Sequence, residues 1–353
     1  MTAIAIFGSG MMGSALAMPL ADNGHDVRLV GTHLDRKIID SIKDRGYHPT
    51  LETQMPESVR AFQLEDAAEA FEGTEVVLSG VTSFASHWAG EQLAKLLRPD
   101  HLLIMVAKGM EAGEDGHLSI LPDVVASELP EDVRSSVPVS AIVGPSIAGE
   151  LAQRRHTCVY FAGPDQAALD RLAELFRCDY YHVWTTTDLV GAEVCAALKN
   201  CYALGTGFAE GIIEATGVED EFRWRNFNYE AAIMAQGVIE SRQLVEVLGG
   251  DTRTAEGLTT AGDLYVTAKG GRNVKMGRLL GQGMEFEEAW EKLDHVTLEG
   301  AAAIKEIGRA LPKLTERGLV GEADFPLLRH LYEVVGEQKP LDMPWASFFA
   351  NRP

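Results

Sequence analysis

Ala3-Ile4-Ala5-Ile6-Phe7-Gly8-Ser9-Gly10-Met11-Met12-Gly13 decides the fold of this chain. Five apolar residues, three of them branched or aromatic, predict a buried strand, and the glycines that follow open a helical pattern through Ser14–Asn23. Gly-x-Gly-x-x-Gly alone recurs by chance in a chain with 35 glycines; its place between strand and helix carries the reading. Gly8 allows the tight turn, Gly10 the close approach of a diphosphate, and Gly13 close helix–strand packing. The diphosphate would then lie at the helix N-terminus, where backbone N–H groups favour an anion. A purely structural glycine turn is the plain alternative.

Outward from that turn, Val27–Val30, Val76–Gly80, Leu102–Val106, Val139–Val143 and Cys158–Ala162 are further strand candidates, with helix-like stretches such as Trp88–Leu97 between them. This alternation predicts an α/β fold, a Rossmann-type, mostly parallel sheet with crossover helices. A long Ala- and Leu-rich helical stretch runs from Asp188, its candidate N-cap, through Ala209, and helical patterns continue to about Tyr332. The expected division is a dinucleotide-binding domain over 1–187 and a helical substrate domain over 188–353. Lys339 to Pro353 reads as an irregular, Pro-rich tail.

The chain has 353 residues, 46% of them hydrophobic, with 31 basic against 52 acidic side chains and a net charge of −21. Nucleic acid and anionic membrane would be repelled. An acidic protein that takes an anionic substrate must concentrate its few cations, so Lys108, Lys199, Lys269, Arg272 and Lys275 stand out. Cys158, Cys178, Cys195 and Cys201 show no CxxC spacing and read as reduced, buried thiols of a cytoplasmic protein. No apolar run reaches the length of about twenty residues that spans a membrane, and no leader pattern precedes the first strand. The histidines lack metal-ligand spacing, so no metal is expected.

Cofactor choice is read after the second strand, where an NAD site places a carboxylate. Here Gly31, Thr32 and His33 follow Val30, the first carboxylate is Asp35, and Arg36 is next to it. The reading leans to NADP, with NAD or dual use as the alternative.

Further along, Lys199 interrupts the apolar run Val194–Leu204, where a charge is costly without a purpose. A lysine whose pKa is lowered by burial and a neighbouring cation can pass a proton to a carbonyl oxygen; a lysine snorkelling to solvent would show the same pattern. Asn200 beside it can hydrogen-bond a substrate. Lys108 follows a strand, as does the small-residue turn Gly144-Pro145-Ser146-Ile147-Ala148, so both fall at the sheet edge where open α/β proteins bind ligands. Asp263 could orient a lysine or cap a helix. Arg272-Asn273 after Gly270-Gly271 reads as a forked phosphate grip or as a solvated loop.

These motifs, in this order, resemble the NAD(P)-dependent glycerol-3-phosphate dehydrogenases over nearly the whole length. The matching pieces are Gly8 to Gly13, Lys108-Gly109-Met110-Glu111, Gly144 to Glu150, Asp188 to Glu193, Ala197-Leu198-Lys199-Asn200, Gly262-Asp263-Leu264, Thr267, Arg272-Asn273 and Glu299-Gly300. The resemblance implies reversible reduction of dihydroxyacetone phosphate to sn-glycerol 3-phosphate, an all-helical second domain and a homodimer. It implies Lys199 as general acid/base, with Lys108 and Asp263 beside it in the chemistry. Asn200, Arg272, Asn273, Gly144, Ser146 and Thr267 would hold the substrate. Gly8, Gly10, Met11, Met12, Gly13, Thr32, His33, Lys108, Ala148, Arg272 and Glu299 would meet the cofactor.

The chain departs from that family in four places. Only Ala268, Lys269, Gly270 and Gly271 separate Thr267 from Arg272, with Gly271 where a serine is usual. Thr82-Ser83 replaces Pro-Ser, Gln236 replaces a common arginine, and Val218–Tyr229 with Phe222, Trp224 and Phe227 is bulky. Another phosphorylated ketose or polyol, or a ketopantoate-like acid on the same architecture, is the alternative substrate. A non-catalytic NADP(H) sensor would have lost Lys199, Asp263 or Arg272, and all three are present.

Overall fold

The structure, a computed structural model, describes residues 1–217 and 226–349. Residues 218–225, including Phe222 and Trp224 of the bulky segment, lie outside the described residues. The chain divides into two compact units, the first of Met1–Lys108 with Leu121–Leu189 and the second of Gly109–Ile120 with Val190 onward.

The first unit is built on an eight-stranded sheet. Its strands are β1 (Ala3–Phe7), β2 (Asp26–Val30), β3 (Val59–Phe62), β4 (Val76–Ser79), β5 (Leu102–Met105), β6 (Val139–Val143), β7 (Thr157–Ala162) and β8 (Tyr181–Thr186). Their spatial order is β8-β7-β6-β5-β4-β1-β2-β3. All neighbours are parallel except β6 and β7, where Ile142 faces Phe161 in an antiparallel pair. β1 lies in the interior, with Phe7 in register with Val30 on one side and Ser79 on the other. Ile4, Ala5, Ile6 and Phe7 are fully buried, as an interior strand between two helical layers requires. Each large apolar side chain among them contributes about 1.5–3 kcal/mol by leaving water. Helix α1 (Met11–Asp22) follows β1, α2 (Arg36–Arg45) follows β2, and α3 (Gln166–Phe176) packs on β7 and β8. The Asp165 carboxylate caps α3 by accepting from the amides of Ala167 and Ala168.

The second unit is organised around α4 (Leu189–Ala215), 27 residues or about 40 Å long. It is buried almost without break from Gly191 to Ala209, so other helices surround it. Among the helices of this unit are α5 (Phe227–Val247), α6 (Asp263–Ala268), α7 (Arg272–Gly281), α8 (Glu299–Glu316) and α9 (Pro326–Val335). α4 and α7 meet backbone to backbone: a methyl on Gly277 would stand 1.9 Å from the Leu204 carbonyl oxygen, and one on Gly207 would stand 2.2 Å from that of Val274.

Two expectations need correction. The cut at 187/188 leaves out a hairpin of Met110–Ala112 and Leu118–Ile120 that belongs to the second unit, because the Ala112 amide donates to the Glu306 carboxylate on α8 at 3.0 Å. The tail is not wholly irregular either: Trp345–Phe349 form a short helix, α10, seated by Trp345 against the Tyr229 ring with centroids 4.6 Å apart.

Glu240 on α5 shows how this unit handles a buried charge. Its carboxylate accepts from Gln236 Nε2 at 2.9 Å, Tyr202 Oη at 3.1 Å, and the Leu327 and Leu328 amides at 2.7 and 2.9 Å. One side chain thus ties α4, α5 and the start of α9, and the Gln236 that departs from the family pattern is one of its donors. Complete burial pushes the carboxyl up to about 7 despite those four hydrogen bonds. The folded state therefore holds this proton more tightly than the unfolded chain. Its contribution to stability is full below about 4.5 and is lost as pH rises through 7, by at most about 1.4 kcal/mol per pH unit. Asp22 and Glu75, whose carboxyls are held below their ordinary values by hydrogen bonds from Arg154 and Arg171, act in the opposite sense. Denaturation of wild type and Glu240→Gln across pH 4.5–7.5 separates the two, and the wild-type advantage should shrink steadily with rising pH.

Candidate active site

In the first unit, two of the three signature glycines answer to the protein itself. A Cβ on Gly8, whose φ is +109°, would stand 2.9 Å from the Gly80 carbonyl carbon, and one on Gly13 would stand 2.3 Å from the Gly8 oxygen. Gly10 is different, because the nearest atom to its added Cβ would be 3.9 Å away. The space over Gly10 is open, and no side chain caps the first turn of α1 or places an acid in it. Unfilled room beside uncapped amides is what a dinucleotide diphosphate requires, and these residues fit one.

The end of β2 completes this cradle. Asp35 Oδ2 accepts from the Thr32 amide at 2.9 Å, the Thr32 hydroxyl at 2.8 Å and the Ser9 amide at 3.3 Å. The first carboxylate after β2 therefore braces the glycine turn. His33 is exposed, with its ring edge-on to Trp88 at 5.1 Å. The Gly144 turn reaches the same place, since the Ser146 hydroxyl lies 3.8 Å from Met12 Sδ and the Lys108 ammonium 3.4 Å from the Gly144 carbonyl oxygen. Ala148 begins a short helix packed against α1. Met11, Met12, Thr32, His33, Lys108, Gly144, Ser146 and Ala148 thus gather at the carboxyl edge of one sheet.

In the second unit, Lys199 and Asn200 on α4 are 8% and 6% exposed and Asp263 at the head of α6 is 1% exposed. The Lys199 ammonium donates to the Asp263 carboxylate in a buried ion pair. A single turn of π-helix, Leu258–Gly262, delivers Asp263 to that point; such turns recur at functional sites. Asn273, on the first turn of α7, donates to Asn200 Oδ1 at 3.4 Å and accepts from the Gly300 amide at 3.1 Å. Arg272 is exposed and makes no hydrogen bond or ion pair with the described residues. Lys275, one turn on, is likewise free of carboxylates among them, and Lys269 rests over the Tyr265 ring at 4.6 Å.

Lys199, Asn200, Asp263, Asn273 and Gly300 therefore form one cluster, with Arg272 next to Asn273 at its edge and the half-buried Glu299 adjoining Gly300 in sequence. Thr267 sits one turn beyond Asp263, and its hydroxyl donates to the Asp263 carbonyl oxygen at 2.6 Å, so it is spent within its own helix. Two roles are not readable from spacing. One is Asp35 as a brace, because two of its three donors are backbone amides. The other is the need for glycine at 300, which the motif marks but only space explains, since a Cβ there would stand 2.4 Å from the Asn200 carbonyl oxygen. Among the described residues no group of three or more His, Cys, Asp or Glu could hold a metal. None of the four cysteines is in a disulfide; Cys195 and Cys201 are buried and Cys158 and Cys178 half-buried.

Comparison with known proteins places this geometry. Residues 3–169 match the family described as NAD-dependent glycerol-3-phosphate dehydrogenase N-terminus, and 188–345 match the corresponding C-terminus. The chain is 34% identical over 337 residues to an NADP(+)-dependent glycerol-3-phosphate dehydrogenase of Archaeoglobus fulgidus, covering 95% of each chain. It is 33% identical over 341 residues to a glycerol-3-phosphate dehydrogenase [NAD(P)+] of Bacillus cereus, covering 95% of this chain and 92% of that one. The crystal structure of glycerol-3-phosphate dehydrogenase from Coxiella burnetii superimposes with a TM-score of 0.77 at 28% identity, over 98% of this chain and 97% of the other.

The Lys199–Asp263 pair makes a direct thermodynamic prediction. Asp263→Asn leaves a buried ammonium without its counter-charge and should cost about 3 kcal/mol of unfolding free energy in urea denaturation. Lys199→Met in the same chain should recover most of that loss. A neutral Asp263→Asn would mean that the two groups are not coupled in solution.

Proposed function

The chain belongs to the NAD-dependent glycerol-3-phosphate dehydrogenase family, and we propose that it reduces dihydroxyacetone phosphate reversibly to sn-glycerol 3-phosphate with a preference for NADPH. The observation that carries the reading is the buried pairing of Lys199, inside an apolar helix, with Asp263 at the head of another, with Asn200 adjacent and the Arg272 guanidinium unclaimed by any carboxylate among the described residues.

A nicotinamide cofactor, held by the Gly8 to Gly13 turn, would supply hydride chemistry at the carbonyl carbon when bound. The chain's own residues do the rest. The Lys199 ammonium gives a proton to the ketone oxygen as charge develops there, and takes one back from the alcohol in the reverse direction. Asp263 holds that ammonium in place through the transfer. Asn200 offers an amide N–H to a substrate oxygen. Arg272 meets the phosphate with a planar, always-charged fork, and Lys269 and Lys275 add positive charge in an otherwise acidic protein. Lys108, Gly144 and Ser146 belong to the cofactor side, where Gly8 to Gly13 take the diphosphate. Burial around Lys199 excludes the water that would weaken these interactions.

NADPH preference is supported at the end of β2. Asp35, the first carboxylate after β2, spends one oxygen on three donors of its own turn and so serves first as a brace. Arg36 and Lys37 are exposed there, and among the described residues the Arg36 side chain is tied by an ion pair with Glu65 in which both side chains are more than half exposed. Such a pair is worth little and yields readily to a phosphate. Among the described residues no helix is long and apolar enough to cross a membrane. With four thiols outside any disulfide, a cytoplasmic setting belongs to the same reading, and so, by family resemblance, does a homodimer.

Oxidation of NADPH on adding dihydroxyacetone phosphate, measured beside NADH, tests this directly. Turnover should favour NADPH in kcat/KM by about tenfold or more, the value of a charge-assisted contact to the extra phosphate. Lys199→Ala should remove turnover while leaving NADPH binding intact. Arg272→Ala should raise the substrate KM by about tenfold or more. Protein that binds NADPH yet turns over no dihydroxyacetone phosphate would refute the substrate assignment.

A further inference from the structure

Both ends of the Asn273 amide are engaged inside the second unit. Its Oδ1 accepts from the buried Gly300 amide at the head of α8 at 3.1 Å, and its Nδ2 faces Asn200 Oδ1 at 3.4 Å. An amide side chain has donors at one end and acceptors at the other, so each contact dictates the next. The Gly300 N–H can be satisfied only by an acceptor, which turns the Asn273 oxygen towards it and the Asn273 nitrogen towards α4. A second nitrogen cannot face that nitrogen, so Asn200 must present its oxygen, and its own NH2 is left pointing the other way. Gly300 is part of the arrangement, since a Cβ there would stand 2.8 Å from Asn273 Oδ1 as well as against the Asn200 backbone.

We infer that Asn273 is a positioning residue, the middle of an amide relay from Gly300 through Asn273 to Asn200, whose output is an Asn200 side chain that presents only donors to a substrate oxygen. This rests on the functional reading above and departs from the sequence expectation of a shared Arg272-Asn273 grip: the phosphate grip belongs to Arg272, and Asn273 acts through its neighbour. A ligand role for Asn273 would have to rely on the second Nδ2 hydrogen alone. The relay also explains why α8 begins where it does, because a buried amide in its first turn would otherwise lack an acceptor.

The test is a double-mutant cycle in kcat/KM for dihydroxyacetone phosphate, joined to a titration with inorganic phosphate. Asn273→Ala should lose about tenfold in kcat/KM, and Asn200→Ala with Asn273→Ala should be no more than about twofold worse than Asn200→Ala alone, because residues acting as one unit are non-additive. Losses that multiply would overturn the relay. Asn273→Asp keeps an acceptor for Gly300 but offers Asn200 a second acceptor, so Asn200 must reverse its amide; this variant should stay folded and fall with Asn273→Ala. Inorganic phosphate should bind Asn273→Ala within about twofold of wild type and Arg272→Ala about tenfold more weakly. Equal weakening in both variants would return Asn273 to the phosphate and sink the inference. If the wild-type protein turns over no dihydroxyacetone phosphate, the functional reading fails and the relay is decided by exchange of the Gly300 amide. Protection kept in Asn200→Ala and lost in Asn273→Ala supports it, and equal exchange in both overturns it.

Discussion

The second unit depends on the approach of two helix backbones, α4 and α7, closer than any side chain between them would allow. Gly207 and Gly211 on α4 and Gly277 and Gly281 on α7 are each one helical turn apart. Methyls at these positions would stand 2.2, 2.0, 1.9 and 2.7 Å from carbonyl oxygens of the opposite helix. Each glycine costs about 0.5–1 kcal/mol of helix stability relative to alanine. The close contact offsets this through dispersion along the seam and weak Cα–H···O contacts. Its geometric consequence matters more. With the helices locked at this seam, the head of α7 has one place to go, beside Lys199 and Asn200. Arg272 and Asn273 arrive there because the seam behind them is rigid.

Two kinds of buried charge then divide the work of the unit. Glu240 has four donors from three helices on its two oxygens and holds those helices together. Lys199 and Asp263 neutralise each other and sit beside an asparagine whose donors point away from its protein partner. Burying a carboxylate or an ammonium is costly unless the group is paired and hydrogen-bonded, and both sites meet that condition. They differ in what is left over: Glu240 is enclosed by the helices it joins, whereas the Lys199 cluster has a cation at its edge, Arg272, that no carboxylate among the described residues takes up. That leftover charge is what makes the second site a candidate for chemistry and the first a structural tie.

Much of this was legible in the sequence, and the parts that were not share a cause. β1 and the turn after it are written in adjacent residues, and a lysine in an apolar helix is conspicuous wherever its partner lies. Val59–Phe62 does not read as a strand in the sequence because an edge position exposes Arg60 and leaves too short an apolar run. Tyr181–Thr186 alternates buried and exposed residues in the strand manner, but His182 and Trp184 on its open face disguise the pattern. The hairpin at 110–120 belongs to the helical unit through a bond from Ala112 to Glu306, and no local pattern announces a partner so distant in sequence. The glycines of the seam read as ordinary breakers in α4, since each is required only by a carbonyl some seventy positions away. The motif places Thr267 and Asn273 beside the substrate, and the hydrogen bonds they make in the structure are to the protein itself. Position in a motif shows where a side chain is anchored, and only three-dimensional contacts show where its polar atoms point.

Charge supplies the last constraint. A chain of net charge −21 repels a phosphorylated ketone at long range, so capture has to rely on short-range contacts. Lys269, Arg272 and Lys275 are spaced along one loop and the first turn of one helix, without carboxylates among the described residues to neutralise them. The loop itself is trimmed to four residues, two of them glycines with φ of +157° and +105°, which turns the chain sharply into α7. A loop of Ala268, Lys269, Gly270 and Gly271 offers an ammonium and no side-chain hydroxyl, so it acts by charge and not by directional hydrogen bonding. That suits a site that must overcome the repulsion of its own protein. It also leaves discrimination among phosphorylated ketones to the groups that meet the carbonyl end, Lys199 and the oriented amide of Asn200.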